Sequence, residues 1–378
     1  MKIYKNRIKS LCEWMQKQKI DAVVIEDTEG RQTKNLRYLS GMDSDALLIV
    51  FSNSETVLVA WDVIMAEKTA FADKIISYGD FNRNFCKAVK QICSAKLTEG
   101  TIEFSSSTPY VLYNELEKEL YPFTIKCRAE GVDEYLLNLR AVKDEVEIEI
   151  YKEAGLLTNK LINTIEAAFI DGSIKTEIDA AMLIESEGRK LGAEGTSFET
   201  LAAGAGRSWG IHCIPAYSSD NIGTVLQGQA GGLSIIDCGL KFKGYATDIT
   251  MTICRGSLSD KQEQMVELTK KAHNLAAEKA SHKNICANEL ATAVDKFFEE
   301  TGYIMPHSLG HGIGLDVHEA PSIKSGTPFK KTILPGMIFT IEPGLYDKDA
   351  GGVRLENDYL MTESGAVPIT ASKIIYLP

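Results

Sequence analysis

The stretch Leu233–Thr252 reads Leu-Ser-Ile-Ile-Asp-Cys-Gly-Leu-Lys-Phe-Lys-Gly-Tyr-Ala-Thr-Asp-Ile-Thr-Met-Thr and predicts two strands joined by a turn. Its first part, Leu233–Asp237, is apolar and rich in β-branched residues, as strands are. Tyr245–Ile253 alternates in polarity and is rich in Thr, which also favours a strand. Lys241–Gly244 between them is polar and contains a glycine, so it supplies the turn.

Two aspartates occupy matching places in this predicted hairpin. If the hairpin is symmetric about Phe242 and Lys243, Asp237 lies directly opposite Asp248 on the same sheet face, with Cβ atoms ~5 Å apart. Carboxylates that close repel each other unless a proton or a cation lies between them. The pair indicates either a metal site or two solvated aspartates on a polar face, and by itself does not decide between them.

Length and composition describe a globular protein with room for two domains. The chain has 378 residues, of which 44% are hydrophobic and 25% charged. A net charge of −11 and the lack of any long Lys/Arg cluster argue against nucleic acid as a partner. No apolar run of ~18 residues predicts a membrane span, and the N-terminus lacks the apolar core of a signal peptide. The eight cysteines form no Cys-x-x-Cys pair, which favours a reducing compartment, so we expect a cytoplasmic protein.

The pattern of elements changes near residue 130. Residues 1–132 alternate strands with helices, which predicts an α/β domain. Residues 133–378 combine long helices, such as Asp144–Ala168, with antiparallel strands in no strict βαβ order, which predicts an α+β domain. We place the boundary within Glu130–Lys143, between residues 132 and 133, although this segment carries no Pro/Gly linker signal.

A histidine-rich segment lies in the second domain. His307–Pro321 contains three of the six histidines of the chain, and His311 stands between two glycines, where backbone can approach a ligand closely. The Gly-x-Gly-x-Gly pattern around it lacks the preceding strand and following helix of a dinucleotide-binding fingerprint. A His-rich loop taken alone is more often surface than site.

Two glutamates near predicted strands complete a possible ligand set. Glu342 lies in Ile-Glu-Pro-Gly-Leu-Tyr and Glu356 in Gly-Val-Arg-Leu-Glu-Asn, and each alone could be an ordinary surface residue. Together with Asp237, Asp248 and His311 they form an oxygen-rich set large enough for two divalent ions. Such ligands suit Mn²⁺ and tolerate Co²⁺, Zn²⁺ or Fe²⁺.

At this point the second domain resembles a known family, the M24 "pita-bread" metallopeptidases, which include methionine aminopeptidase, aminopeptidase P and prolidase. The resemblance covers roughly residues 140–378 and lies in Gly-x-Gly-Arg-Ser before His212, Ile-Ile-Asp-Cys-Gly, Gly-Tyr-Ala-Thr-Asp-Ile-Thr, Gly-His-Gly-Ile-Gly-Leu-Asp-Val-His-Glu, Ile-Glu-Pro-Gly-Leu-Tyr and Val-Arg-Leu-Glu-Asn. The first domain is similar to that of the prolidase and aminopeptidase P branch, notably in Asn35–Gly41. The resemblance implies a creatinase/prolidase-type N-terminal domain followed by a pita-bread catalytic domain.

The resemblance also implies a role for each matching residue. Asp237 would bind one metal ion, His311 and Glu342 the other, and Asp248 and Glu356 would bridge the two. Glu342 would also be the general base. His212 and His318 would face the substrate as catalytic residues, and His307 and Arg354 would hold the carboxylates in place. Asp237 follows His212 by 25 positions, so Pro215–Gly232 holds extra loop, whose role is open.

We therefore expect a homodimeric hydrolase that cleaves peptides at Xaa-Pro bonds with two divalent ions, Mn²⁺ first among them. One alternative is a C–N hydrolase of the creatinase or ectoine-hydrolase type, which acts on a small molecule. The other is a non-catalytic binding module on the same fold. The creatinase kind and the binding module are expected to lack some of the metal ligands, and this chain has all five. The preference between dipeptides and longer peptides stays open.

Overall fold

The computed structural model describes residues 2–28, 33–222, 230–326 and 331–378. The chain divides into two compact units, Met1–Leu139 and Arg140–Pro378. The boundary predicted from the sequence lies between residues 132 and 133. The division falls inside the helix Val132–Ala141. Because a helix runs through this segment, the chain needs no Pro/Gly-rich linker there.

The first unit combines one sheet with helices. Its strands are β1 (Ala22–Asp27), β2 (Ala46–Phe51), β3 (Thr56–Ala60), β4 (Lys74–Ser77), β5 (Thr101–Phe104) and β6 (Thr124–Cys127). Its helices are α1 (Lys2–Gln18), α2 (Lys34–Ser40), α3 (Val63–Thr69), α4 (Phe85–Ser94) and α5 (Tyr110–Glu119), with α6 (Val132–Ala141) at its end. A short 3₁₀ helix, Tyr78–Phe81, follows β4.

The sheet of the first unit is mixed, in the order β4-β3-β2-β1-β5-β6. β2 is antiparallel to both of its neighbours, whereas β1 with β5, β5 with β6 and β3 with β4 are parallel. β2 and β3 are buried along their whole length. A strand covered on both faces needs apolar residues at every position, which explains the unbroken Ala-Leu-Leu-Ile-Val-Phe of β2.

The second unit contains long helices and several small sheets. Its helices are α7 (Glu145–Ile170), α8 (Glu177–Lys190), α9 (Asp260–Ala280) and α10 (Ala287–Glu300). Its first strands are β7 (Gly195–Thr196), β8 (Leu201–Ala203), β9 (Gly231–Cys238), β10 (Leu240–Phe242), β11 (Tyr245–Ala246) and β12 (Ile249–Gly256). Its later strands are β13 (Gly310–Gly312), β14 (Glu319–Ile323), β15 (Ile338–Ile341), β16 (Gly344–Asp347), β17 (Gly351–Arg354), β18 (Asn357–Thr362), β19 (Gly365–Pro368) and β20 (Ile374–Leu377).

Two sheets carry the residues of interest in the second unit. One has the order β20-β12-β9-β8 and the other the order β14-β13-β15-β18-β19. Three helices begin with capping boxes, at Asp144, Thr176 and Ser259, in which the N-cap side chain and the residue three positions later bond each other's backbone. The observed mixture of antiparallel strands and long helices confirms the predicted α+β class.

The hairpin at the centre of the sequence analysis forms, but the predicted register is wrong by two residues. In β9 and β12, Asp237 lies opposite Thr250, not opposite Asp248. The turn consists of Lys243 and Gly244, with φ of 49° and 84°. A two-residue turn with both φ values positive matches the twist of the flanking strands, so it moves the centre of the hairpin by one position. Because a register shift of two residues keeps each side chain on its face, Asp237 and Asp248 still share one face.

A buried histidine on α9 makes the stability of this unit sensitive to acid. His273 is 7% exposed, its Nε2 lies 3.5 Å from the hydroxyl of Tyr359, and burial lowers its pKa to about 4. In the unfolded chain the imidazole titrates near its ordinary value, so between pH 6.5 and 4 the unfolded state binds a proton that the folded state excludes. The contribution of His273 to the free energy of unfolding is roughly 3 kcal/mol at most. It is complete above pH 6.5 and is lost as the pH falls toward 4.

We therefore expect His273→Gln to reduce the difference in unfolding free energy between pH 7 and pH 4.5. Urea unfolding of metal-free protein at the two pH values measures it. His282→Gln is the matched control, because His282 is exposed just beyond the end of the same helix. An equal pH dependence in His273→Gln and wild type would contradict the assignment.

Within the described ranges, every helix is too short or too polar to cross a membrane.

Candidate metal centre

Three side chains from separate parts of the second unit meet in one cluster. Asp248 precedes β12, His311 lies in β13 and Glu356 lies between β17 and β18. One ligand atom from each lies within 4.8 Å of the other two. Asp248 is 5% exposed and Glu356 is 2% exposed, so both carboxyl groups are withdrawn from water.

The hydrogen bonding of His311 fixes which of its nitrogens is available. Its Nδ1 lies 3.1 Å from the carbonyl oxygen of Gly312, which can only accept, so Nδ1 carries the proton. The lone pair of Nε2 then faces one oxygen of Asp248 and one of Glu342, each 3.6 Å away. Burial lowers the pKa of His311 to about 4, so the ring is neutral at pH 7. A neutral imidazole with a free lone pair is the form of histidine that binds metals.

The carboxyl groups of the cluster are poorly compensated by the protein itself. Burial first, and then the charge of Glu356, raise the pKa of both Asp248 and Glu342 well above the ordinary carboxyl range. Burial and the neighbouring Asp237 raise the pKa of Glu356 to about 7. Asp248 Oδ1 and Glu356 Oε1 are buried and lack a hydrogen-bond partner among the described residues. Buried carboxylates in this condition are stable at neutral pH only with nearby positive charge.

Threonines of β12 hold in place the segment that carries Arg354 and Glu356. Thr250 Oγ1 donates to Glu356 Oε2 over 2.7 Å, and the backbones of these two residues form a β-bridge. Thr252 Oγ1 donates to the carbonyl of Arg354 over 2.8 Å and accepts from its backbone N–H. The Thr content of this segment is also typical of a strand. Threonines at alternate positions of a buried strand also indicate a need for hydrogen bonds on that face.

Arg354 is the main positive group beside the cluster. It is 2% exposed, and its Nη2 donates to Asp237 Oδ2 over 2.5 Å. Its Nη1 donates to the hydroxyl of Tyr346 over 2.7 Å and to the carbonyl of Ile211 over 3.3 Å. Arg354 therefore contacts a carboxylate directly and also fixes the backbone next to His212.

His307 reaches the carboxylates only through other side chains. Its Nδ1 donates to the carbonyl of Ser308 over 2.8 Å, so its Nε2 accepts from the hydroxyl of Tyr346 over 3.0 Å. Burial lowers the pKa of His307 to about 4, with a smaller effect from the nearby Arg354 and His212. Arg354, Tyr346 and His307 form a chain of hydrogen bonds. Tyr346, which sequence reasoning missed, is the link.

The remaining two histidines lie at the edge of the cluster. His318 is exposed, and its ring centroid lies 4.2 Å from that of His311. His212 is also exposed, in the segment between β8 and β9. The residue after His318 points away from these groups, since Glu319 is buried against Arg140 and lies 3.3 Å from Lys143 Nζ. Part of the extra loop noted in the sequence, residues 223–229, lies outside the described residues.

Comparison with protein families decides the identity of this arrangement. Residues 149–363 match the model of metallopeptidase family M24, and residues 7–142 match the creatinase/prolidase N-terminal domain. The chain belongs to metallopeptidase family M24. This M24 protein is a hydrolase, and its two units correspond to the N-terminal domain and the pita-bread catalytic domain of that family.

Relatives of this M24 protein are similar over nearly their whole length. It is 31% identical to the Xaa-Pro dipeptidase of Pyrococcus horikoshii, over 99% of this chain and 99% of that protein. The crystal structure of the prolidase from P. horikoshii has a TM-score of 0.82 at 29% identity, over 97% of this chain and 98% of that one. The X-Pro aminopeptidase from Thermotoga maritima also has a TM-score of 0.82, at 25% identity, over 98% of this chain and 99% of that one.

The M24 family implies divalent metal ions, and the residues of this site fit them. The cluster offers one neutral imidazole nitrogen and several buried carboxylate oxygens, of which Asp248 Oδ1 and Glu356 Oε1 point at no described hydrogen-bond donor. Hard oxygen ligands with a single nitrogen suit divalent ions such as Mn²⁺. Of the five residues selected from the sequence, the structure groups Asp248, His311 and Glu356 and places Glu342 3.6 Å from His311. Asp237 is bonded to Arg354, and its role as a ligand stays a prediction.

Proposed function

We propose that this protein hydrolyses the peptide bond before proline, in peptides of the form Xaa-Pro, with two divalent metal ions at the cluster. The full-length similarity to the Xaa-Pro dipeptidase of P. horikoshii carries the choice of substrate. The mutual approach of Asp248, His311 and Glu356 to within 4.8 Å supports the metal site.

The balance of charge favours two metal ions over one. Four carboxylates, those of Asp237, Asp248, Glu342 and Glu356, and one guanidinium leave three negative charges when all four are ionised. Asp358 accepts from the backbone N–H of Asp248, and because burial raises its pKa well above the ordinary value, it is counted as neutral. One divalent ion leaves this buried group with a net negative charge. Two divalent ions and one hydroxide bring it to zero. The proposed ligands are Asp237 for one ion, His311 and Glu342 for the other, and Asp248 and Glu356 for both.

Glu342 is the proposed general base. When bound, the two ions lower the pKa of a water molecule and stabilise negative charge on the substrate carbonyl oxygen. Glu342 directly follows β15, where its backbone N–H donates to the carbonyl of Leu309 over 2.9 Å and fixes the start of its side chain. Its carboxylate accepts a proton from the attacking water and delivers it to the leaving proline nitrogen.

His318 and His212 are the proposed substrate contacts. His318 is exposed yet lies against the ring of His311, so it can donate a hydrogen bond to the carbonyl oxygen of the bond under attack. His212 follows Ile211, whose carbonyl is held by Arg354, so its backbone is fixed close to Asp237. His307 and Arg354 keep the carboxylates and these contacts in position.

Proline suits a site of this kind for a chemical reason. An Xaa-Pro bond has no N–H, and the ring fixes φ near −65°. Peptidases that bind an extended backbone through that N–H lose the contact at proline. A site that holds the carbonyl oxygen and the free α-amino group needs neither the N–H nor an extended φ, and its acidic cluster attracts the amino group.

Mn²⁺ is the first choice of metal, with Co²⁺, Zn²⁺ or Fe²⁺ as alternatives, because the set is rich in oxygen. The resemblance to the family also implies a homodimer, for which light scattering is expected to give twice the 41.6 kDa of the chain. The second candidate, a hydrolase of creatine-like amides, shares the fold, but the full set of ligands argues for the peptidase.

We expect Mn²⁺-reconstituted protein to hydrolyse Ala-Pro and Ala-Pro-Ala but to cleave Ala-Ala at least about 10-fold more slowly, since alanine lacks the ring methylenes that a proline-specific site would contact. The measurement is release of free alanine after chelation and reconstitution. Creatine is a further substrate, whose hydrolysis is followed by release of urea. The ratio of the two proline substrates also separates dipeptidase from aminopeptidase. Equal rates on Ala-Pro and Ala-Ala would remove the proline specificity, and turnover of creatine alone would favour the second candidate.

A further inference from the structure

One buried carboxylate on α8 holds both ends of the loop that carries His212. Glu177 is 0% exposed. Its Oε1 accepts from the backbone N–H of Gly204 over 2.8 Å. Its Oε2 accepts from the backbone N–H and from the hydroxyl of Ser218, each over 2.8 Å. The two oxygens of a single side chain therefore close the loop Gly204–Ser218.

The interior of this loop is attached to the same carboxylate and to the metal centre. The Nε of Arg207 lies 3.4 Å from Glu177 Oε1, and its Nη2 donates to the carbonyl of Pro215. Ser208 Oγ donates to the carbonyl of Leu233 over 2.6 Å. Arg354, which holds Asp237, donates to the carbonyl of Ile211. The loop is thus fixed at its ends by Glu177 and near its middle by Arg354.

His212 directly follows Ile211, whose carbonyl is held by Arg354. It is exposed, while the thiol of Cys213 after it donates to the carbonyl of Arg207. An exposed side chain takes its position from the backbone that carries it, so the placement of His212 depends on what closes and holds the loop. Helix α8 is long and capped at Thr176, so it offers a rigid base for that closure.

We propose that Glu177 is a positioning residue, which closes the loop Gly204–Ser218 and so sets the place of His212 at the metal centre. This inference rests on the proposed function in one respect, the contact of His212 with substrate. Glu177 itself contacts neither substrate nor metal; it acts through the loop.

Glu177→Gln tests the proposal. Glutamine has one acceptor oxygen and an NH₂ group, so it can serve one end of the loop but presents a donor to the N–H of the other. Because a misplacement of about 1 Å can cost ~10²-fold in rate, we expect kcat/KM on Ala-Pro to fall on the order of 10- to 100-fold. Bound metal should stay at the wild-type level. Glu185→Gln, at a half-buried position of the same helix, is the matched control. Its carboxylate accepts from Arg189 one turn away, and because such partly exposed pairs contribute little, it should behave as wild type.

A double-mutant cycle separates positioning from general damage. If Glu177 acts through His212, then Glu177→Gln should change kcat/KM by less than about 3-fold once His212 is already alanine, because coupled residues are not additive. An effect of the same size in both backgrounds would overturn the proposal. A loss of bound metal in Glu177→Gln would overturn it too, since Glu177 would then support the ligands.

Trypsin cleavage after Arg207 gives a measurement that needs no peptidase activity. Release of one loop end should expose the bond between Arg207 and Ser208 and speed its cleavage about 10-fold, with other sites unchanged, as expected for local opening. If wild type cleaves no Xaa-Pro substrate, the proposed function fails and this assay alone decides the loop proposal. Ser218→Ala is a milder variant, which removes the hydroxyl that donates to Glu177. If Glu177→Gln does not fold, unchanged trypsin cleavage after Arg207 in Ser218→Ala would overturn the proposal.

Discussion

Replacing His311 with alanine is expected to abolish peptide hydrolysis and to lower bound metal. His311 supplies the one nitrogen of the cluster, and its Nδ1 bond to Gly312 aims the lone pair of Nε2 between Asp248 and Glu342. Loss of a residue that merely supports a metal ligand typically costs about 10- to 100-fold in metal affinity or activity. Loss of the ligand itself should cost more, so we expect activity below 1/100 of wild type, a limit set by that same range.

Elemental analysis after dialysis, together with hydrolysis of Ala-Pro, measures this effect. Exhaustively chelated wild type should lose activity in the same way and regain it with Mn²⁺, whereas chelated His311→Ala should not regain it. His282→Ala is the control, since His282 is exposed and remote in sequence from the cluster. Retention of metal and full activity in His311→Ala would rule out His311 as a ligand.

Glu342→Gln is expected to lower kcat by ~10²- to 10⁴-fold, the usual cost of losing a general base. The substitution keeps the size of the side chain and one acceptor oxygen but removes the ability to take a proton. Burial and the charge of Glu356 raise the pKa of Glu342 in the protein without metal, which shows how strongly its charge depends on nearby cations.

Metal content distinguishes the two proposed roles of Glu342. If kcat falls while two ions per chain remain bound, the loss reflects proton transfer, and if one ion is lost, it reflects ligation as well. Glu363→Gln is the control, because Glu363 is exposed in the turn between β18 and β19. A kcat within a factor of a few of wild type in Glu342→Gln would exclude it as the base.

The sequence by itself was enough for the fold class, and it named the candidate site residues. The sequences Thr176-x-x-Asp179 and Ser259-x-x-Gln262 are typical of capping boxes, and each begins a helix in the structure, because such a signal depends only on residues close in sequence. The five proposed ligands could be selected because they form an oxygen-rich set when taken together and because the segments that carry them resemble those of the M24 family, in its order. The structure brings Asp248, His311 and Glu356 together as that selection required.

Only the tertiary structure decided the register of the central hairpin and the contacts around the ligands. The turn at Lys243 and Gly244 depends on two positive φ values, which residue type alone did not reveal.

The chain of hydrogen bonds from Arg354 through Tyr346 to His307, and the bond from Thr250 to Glu356, join side chains that packing brings together. The closure of a loop by Glu177 at both Gly204 and Ser218 is of the same kind. Such bonds form because distant strands and helices are packed to within ångströms, and a single sequence records the residues but not the distances between them.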